Sequence, residues 1–292
     1  MKKLLTALTT VLLLASCQKE ISLDVPVNGG GGTGGGGTTG GNSNGDLLEK
    51  AWQITLATND TNTITFQWDA AKRLLVYNSS GKVFGRATNI NHTITRAADG
   101  KIKTIRSISD FSGTDDSTIF NFKYASGSIQ LQHVTSTQFN SFSNFNDSSV
   151  FTYNTVGQVT TKETFSDLSG TFEPLSKQQY TYDALGNISK ITNFQADFFT
   201  GAYALVSAAT YTYDQKKAAV VFGEEAFVIF GAETISKSNL VNTVTNTGAS
   251  GNTYSFTFSQ FQFNTFSRPT QALLTVTPQP PGYNMRIFYF YK

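Results

Sequence analysis

The 292-residue chain carries 24 Phe, 12 Tyr and 2 Trp but a single Cys, Cys17, and only two His, His92 and His133. Chemistry that needs thiol pairs or a histidine cluster therefore has almost no material to work with. Charged residues make up 14% of the chain; with Lys2 and Lys3 set aside as part of a leader, 20 basic and 20 acidic side chains remain. A neutral mature chain excludes binding to nucleic acid or to an anionic membrane surface by charge.

Lys2-Lys3 precedes an apolar run from Leu4 to Leu14 and then the small residues Ala15 and Ser16. This is the layout of a secretory signal peptide over residues 1–16, too short to span a bilayer. Leu14-Ala15-Ser16-Cys17 resembles the bacterial lipobox, which implies cleavage before Cys17, acylation of its sulfur and its new amino group, and membrane attachment. No Asp stands at position 18, so outer-membrane delivery is expected, with a slight lean towards the cell surface over the periplasmic face. Asn28 to Gly45 holds eleven glycines in eighteen residues. Residues 17–45 thus form an anchor and flexible tether, holding the domain about 30 Å from the lipid on average. A phosphate-binding loop would need a flanking strand and helix, and a P-loop a closing Gly-Lys-Ser/Thr; the sequence offers none.

From residue 46 onward one phrase recurs: aromatic, any residue, aromatic, Asp or Asn, turn. It reads Phe66-Gln67-Trp68-Asp69, Phe151-Thr152-Tyr153-Asn154, Tyr180-Thr181-Tyr182-Asp183, Tyr211-Thr212-Tyr213-Asp214 and Phe261-Gln262-Phe263-Asn264, with a degenerate copy at Phe122-Lys123-Tyr124-Ala125. The fourth positions 69, 98, 125, 154, 183 and 214 lie 29, 27, 29, 29 and 31 apart, and 264 comes after a gap of 50, which predicts a drifted copy around Ser236 to Asn239. Residues two apart on a strand share a face, so both aromatics point one way. The Asp or Asn, with Gly three residues on as at Gly157 and Gly186, predicts a hairpin turn closed by a positive-φ residue. Lys72, Lys217 and Ser267 stand in that place in other copies.

The phrase resembles the tyrosine-aspartate repeats of bacterial wall-associated proteins. The whole layout is similar to a family of bacterial lipoproteins of unknown function described as porin-like, with the Arg73 and Arg268-Pro269 turn variants adding to the likeness. The resemblance spans roughly residues 50–292 and carries no catalytic residues with it. It implies an all-β domain over residues 46–292. At 29 residues per hairpin this makes about 14–17 antiparallel strands in an up-and-down meander, closed or nearly closed into a flattened porin-like barrel. The alternative is an open, curved, single-layer sheet. Asp46 to Ala51 is expected to form a turn of helix.

A membrane-spanning barrel needs one lipid-compatible face per strand. The strand at 172–182 places Phe172, Pro174, Ser176, Gln178, Tyr180 and Tyr182 on one face and Glu173, Leu175, Lys177, Gln179 and Thr181 on the other, and neither suits lipid. No catalytic phrase is found. His92 and His133 read as surface residues, and Asp115-Asp116 and Glu224-Glu225 as solvated loop or edge charges, since neighbours on a strand face opposite ways. The protein is therefore expected to be a non-enzymatic, monomeric binding module, with no cofactor or metal. Its expected partner is a glycan or another envelope component, and a purely structural role is the alternative. Aromatics outside the repeat, Phe139, Phe142, Phe145, Phe198 and Phe199, are the candidate binding residues.

Overall fold

A computed structural model describes residues 47–110, 115–139, 144–167, 170–247, 251–278 and 284–292. Cys17, the leader, the tether and Phe142 lie outside these residues. Sixteen strands close into one antiparallel barrel in which each strand pairs with its chain neighbours and the last with the first. In order they are β1 (Leu48–Thr55), β2 (Thr61–Trp68), β3 (Leu74–Val83), β4 (Arg86–Arg96), β5 (Ile102–Asp110), β6 (Asp115–Tyr124), β7 (Leu131–Phe139) and β8 (Asn144–Tyr153). The second half comprises β9 (Val159–Asp167), β10 (Phe172–Tyr182), β11 (Ile188–Ala196), β12 (Tyr203–Lys217), β13 (Ser238–Thr247), β14 (Thr253–Phe263), β15 (Pro269–Thr277) and β16 (Met285–Tyr291). Closure leaves no unpaired edge, so the open-sheet alternative is set aside. Residues 48–51 belong to β1, not to a helix: Ala51 and Leu48 are fully buried in the wall, and the tertiary pairing of β1 with β16 and β2 outweighs the local helical pattern.

The turns form as the phrase predicts. Asp183 Oδ1 accepts from the backbone N–H groups of Leu185 and Asn187 at 2.9 and 2.8 Å, and Gly186 sits at φ 84°. Asn154 and Asn264 do the same in their own hairpins. Lys72 and Ser267 take the left-handed conformation that glycine takes elsewhere, each at φ 62°. Lys217 does not: it ends β12 after a bulge that begins at Tyr213 and pairs with Ser238, so the chain closes no hairpin turn there. Beyond β12 the chain carries an insertion, residues 218–237, which folds into the barrel lumen as a plug. The gap of 50 between positions 214 and 264 is thus one repeat plus this plug, and no drifted hairpin copy lies at Ser236–Asn239.

The second aromatic of every phrase but the last, where it is Phe263, has a task beyond packing. The Tyr153, Tyr182 and Tyr213 hydroxyls donate to the carbonyls of Leu131, Val159 and Ile188 at 2.7, 2.7 and 2.8 Å. Trp68 Nε1 reaches Leu48 O, Tyr291 reaches Pro269 O, and Ile102 N donates to Tyr124 Oη. Each bond spans from one hairpin to the first strand residue or two after the preceding turn, so a ring of tyrosine bonds stitches the turn end of the barrel. The consequence is measurable. Tyr182→Phe keeps the ring but strands the buried carbonyl of Val159, which should cost about 1 kcal/mol in urea unfolding; an unchanged midpoint would show that the stitch contributes nothing.

Inside, two apolar clusters line opposite walls. One spans β1–β5 and β13–β16 and takes in Phe222 and Phe230 of the plug; the other spans β7–β11 and takes in Phe227. The plug therefore joins the two walls, through a Phe222–Phe230 stack at 4.0 Å on one side and Phe227 against Phe151 and Tyr180 on the other.

Candidate functional site

The outward face of the barrel is polar on many strands, although Val150, Phe165, Phe194 and Leu205 also face outward on β8, β9, β11 and β12. On β2 it presents Thr61, Thr63, Thr65 and Gln67, and on β4 Asn89, Asn91, Thr93 and Thr95, while the residues between them are largely buried. Threonine and asparagine hydroxyls and amides along whole strands have no partners in hydrocarbon. An exception is the seam of β1 and β16, where Trp52 packs edge-on against Phe290 at 4.8 Å under the Lys50 ammonium.

The inward face divides into two halves. Across β1–β4 and β14–β16 it is packed, and a polar network within it is buried and paired. Asn62 Nδ2 donates to Gln53 Oε1 at 3.0 Å and to Ser79 Oγ at 2.9 Å, and Thr88 Oγ1 donates to Asn62 Oδ1 at 3.1 Å. Across β8–β12 the inward layer of Phe151, Tyr180 and Ile191 is buried, and beyond it inward side chains are polar and half accessible. The strand registers set Lys162 beside Gln178, Gln178 beside Asn193 and Asn193 beside Ser207, one row across four neighbouring strands. The Tyr180 hydroxyl donates to Gln178 Oε1, Gln178 Nε2 to Asn193 Oδ1, and Asn193 Nδ2 to Ser207 Oγ, at 2.9, 2.9 and 3.1 Å. The next row begins with Ser149 and Thr164, bonded at 2.9 Å. Below lies the plug, held by Lys162 Nζ donating to Phe227 O at 2.7 Å. Lys162 is ringed by protein, which pushes its ammonium down to about 8 against a raising attraction from Asp147, yet its side chain keeps partial solvent contact. That combination places it on the lumen wall above the plug.

Several sequence expectations change here. Glu224 and Glu225 are not a solvated edge pair: they sit on a 3-10 turn, Glu224–Phe227, inside the lumen, Glu225 buried and Glu224 half-buried, where desolvation raises both carboxyls and the Arg96 guanidinium partly offsets it. Glu233, on the second turn, Ala232–Ile235, is pushed up to about 7 by burial. His92 is no surface residue: it stacks on Tyr77 at 5.4 Å and meets Phe230 edge-on, and burial pushes it down to about 4. His133 faces outward and bonds Ser148 Oγ at 2.6 Å. Arg268 is almost fully buried and donates to Ala218 O at 2.6 Å, clamping the entry of the plug. On β10 the strict alternation fails at Leu175, where the register slips, so Phe172 and Pro174 pair with the outward row while Ser176 onward faces in. Among the described residues no group of three or more His, Cys, Asp or Glu could hold a metal.

The candidate aromatics sit away from the plug. Phe139 ends β7 and Phe145 begins β8, while Phe198 and Phe199 cap the β11–β12 turn, 71% and 91% exposed and edge-on to each other at 5.4 Å. All four lie at the barrel end opposite the repeat turns, the plug and the chain entry at Leu47. The sequence points to them as aromatics outside the repeat. It does not point to Asp147, Lys162, Gln178 or Asn193, whose polarity disguises their inward direction.

A closed, sixteen-stranded, up-and-down barrel of this kind is a porin-like fold. The chain is similar in structure to a porin-like protein from Bacteroides uniformis, with a TM-score of 0.50 at 8% identity over 83% of this chain and 96% of that one. A porin-like protein from Bacteroides vulgatus aligns at a TM-score of 0.40 and 10% identity over 84% of this chain and 98% of that one, too distant to carry argument. No family model and no curated protein matches the sequence.

Proposed function

We propose that the protein is an outer-membrane lipoprotein, anchored through Cys17, whose barrel stands in water as a non-catalytic binding module for a glycan or another envelope ligand. The observation that carries this reading is the inverted polarity of the wall. Strands such as β2 and β4 turn threonine and asparagine outward, and the apolar side chains that share the outer wall form no continuous band, whereas accessible polar groups line part of the inside, so the lumen serves as a receptacle rather than a transmembrane pore. Chain entry at the turn end favours presentation of the opposite rim, with Phe139, Phe145, Phe198 and Phe199, away from the anchor. The porin-like fold accords with an envelope role by analogy of fold alone. A purely structural role draws support from the packed half of the lumen and is the second reading.

Metabolic labelling with a fatty-acid analogue tests the anchor: wild type takes the label and Cys17→Ala does not, and equal labelling contradicts the assignment. Protease shaving of intact cells separates surface from periplasmic display. An array of glycans and envelope lipids probed with the full mature chain tests binding. No binding favours the structural role, and turnover of any member contradicts the non-catalytic reading.

A further inference from the structure

We propose that the inward row Lys162, Gln178, Asn193 and Ser207, together with Asp147, binds the end of a neutral oligosaccharide inside the barrel. The proposal rests on the binding-module reading and names its site and its ligand class.

The row spans four strands, about 14 Å at the usual strand spacing. Its amides are held in place before any ligand arrives. Gln178 and Asn193 each use their carbonyl oxygen and one N–H in the chain from Tyr180 to Ser207, which leaves one N–H of each amide free among the described residues. Lys162 spends one N–H on Phe227 O and has two more. Asp147 faces the same lumen from β8, and its Oδ1 is enclosed without a hydrogen-bond partner among the described residues. An enclosed carboxylate oxygen without a donor is costly, so a donor is expected there. The site thus offers several fixed donors in one row over an apolar floor of Phe151, Tyr180 and Phe227, with a strong acceptor further along the lumen wall, four residues up β8 from Phe151, which pairs with Lys162.

Vicinal sugar hydroxyls, each donor and acceptor at once, match this mixture. A phosphate, sulfate or uronate would bring its charge against Asp147, with Glu224 of the plug near enough to this wall to raise the Tyr153 hydroxyl and no second cation in the row; an ammonium would meet Lys162. Charge therefore selects a neutral polyol. A bland alternative is that these polar groups only fill the lumen. The Gln53–Asn62–Ser79–Thr88 network shows what filling looks like in this barrel: its groups are buried, whereas Gln178, Asn193 and Ser207 retain solvent contact.

The test uses the full mature chain on an array of neutral oligosaccharides printed beside uronate-bearing and sulfated ones, with the best-bound soluble member then titrated by calorimetry. Asp147→Asn and Asn193→Leu both change the lumen without touching the plug, and Phe198→Ala and Phe199→Ala change the rim. The expected result is binding to neutral members, weakened at least tenfold by each lumen variant and less than twofold by each rim variant, with thermal midpoints close to wild type. Binding that survives both lumen variants overturns the lumen site and leaves the glycan reading standing. Binding confined to acidic members overturns the ligand class. No binding to any member removes the glycan reading and this proposal with it.

Discussion

Phe230→Ala lowers the free energy of unfolding by about 3–5 kcal/mol, the range for removing a fully buried aromatic ring. Phe230 is 2% exposed and lies at the junction of the plug with the β3–β4 wall, stacked on Phe222 and edge-on to both Tyr77 at 5.1 Å and His92 at 5.7 Å. The plug has little secondary structure of its own, so the site has no regular element that can close over the void. Phe199→Ala, at an equally bulky but exposed ring, should stay within about 0.5 kcal/mol of wild type. Denaturant midpoints of the two variants measure the contrast. Equal, small losses would mean that the plug does not pack into the lumen.

The second large effect is a pH dependence centred on Glu233. Its carboxyl, ordinarily near 4.5, is pushed up to about 7 by burial beside the hydroxyls of Tyr180, Tyr211 and Tyr213. Below pH 4.5 both folded and unfolded chains hold the proton and the contribution is complete. As pH rises towards 7 the unfolded chain releases its proton first, so stability falls, by roughly 3 kcal/mol at 1.36 kcal/mol per pH unit. Glu224 and Glu225 act in the same direction, with Arg96 offsetting part of it. His92 acts in the opposite direction, because it is held neutral down to about 4 and its contribution grows as pH rises to 6.5. Wild type should therefore look flat where the two windows overlap, and Glu233→Gln exposes the slope. The stability of Glu233→Gln relative to wild type should rise by roughly 3 kcal/mol between pH 4.5 and 7.5. A constant difference would contradict a buried, protonated Glu233.

The hairpins are legible in the sequence because their information is local. Asp183 and Gly186 build their turn from neighbours within a few residues, and Tyr180 and Tyr182 share a face by the period of any strand. The 29-residue period then reports the number of strands. The plug is not legible, for the opposite reason. Ala218-Ala219-Val220-Val221-Phe222 reads as a strand, and Glu224-Glu225 as a solvated pair, until a barrel encloses them; the one sequence signal is the 50-residue gap after Asp214. The burial of His92 is hidden likewise, since it comes from Phe230, 138 positions away in the chain. The polar row is masked by the rule that apolar residues point inward. Gln178 and Asn193 face in because Tyr180 and Ile191 on the same strands fix the alternation, and Lys162 because it pairs with Gln178.

Whether the outer wall faces water can be read at Trp52. It is one of two tryptophans, lies midway along β1 on the outward face and is 39% exposed, whereas Trp68 is turned inward and bonded to Leu48 O. In the Trp68→Phe variant of the full chain, carrying the lipid anchor proposed at Cys17 and bound to vesicles whose acyl chains carry bromine, aqueous acrylamide should quench Trp52 and the brominated lipid should not. Quenching of Trp52 by the lipid, with protection from acrylamide, would place the wall in the bilayer and contradict a water-facing wall.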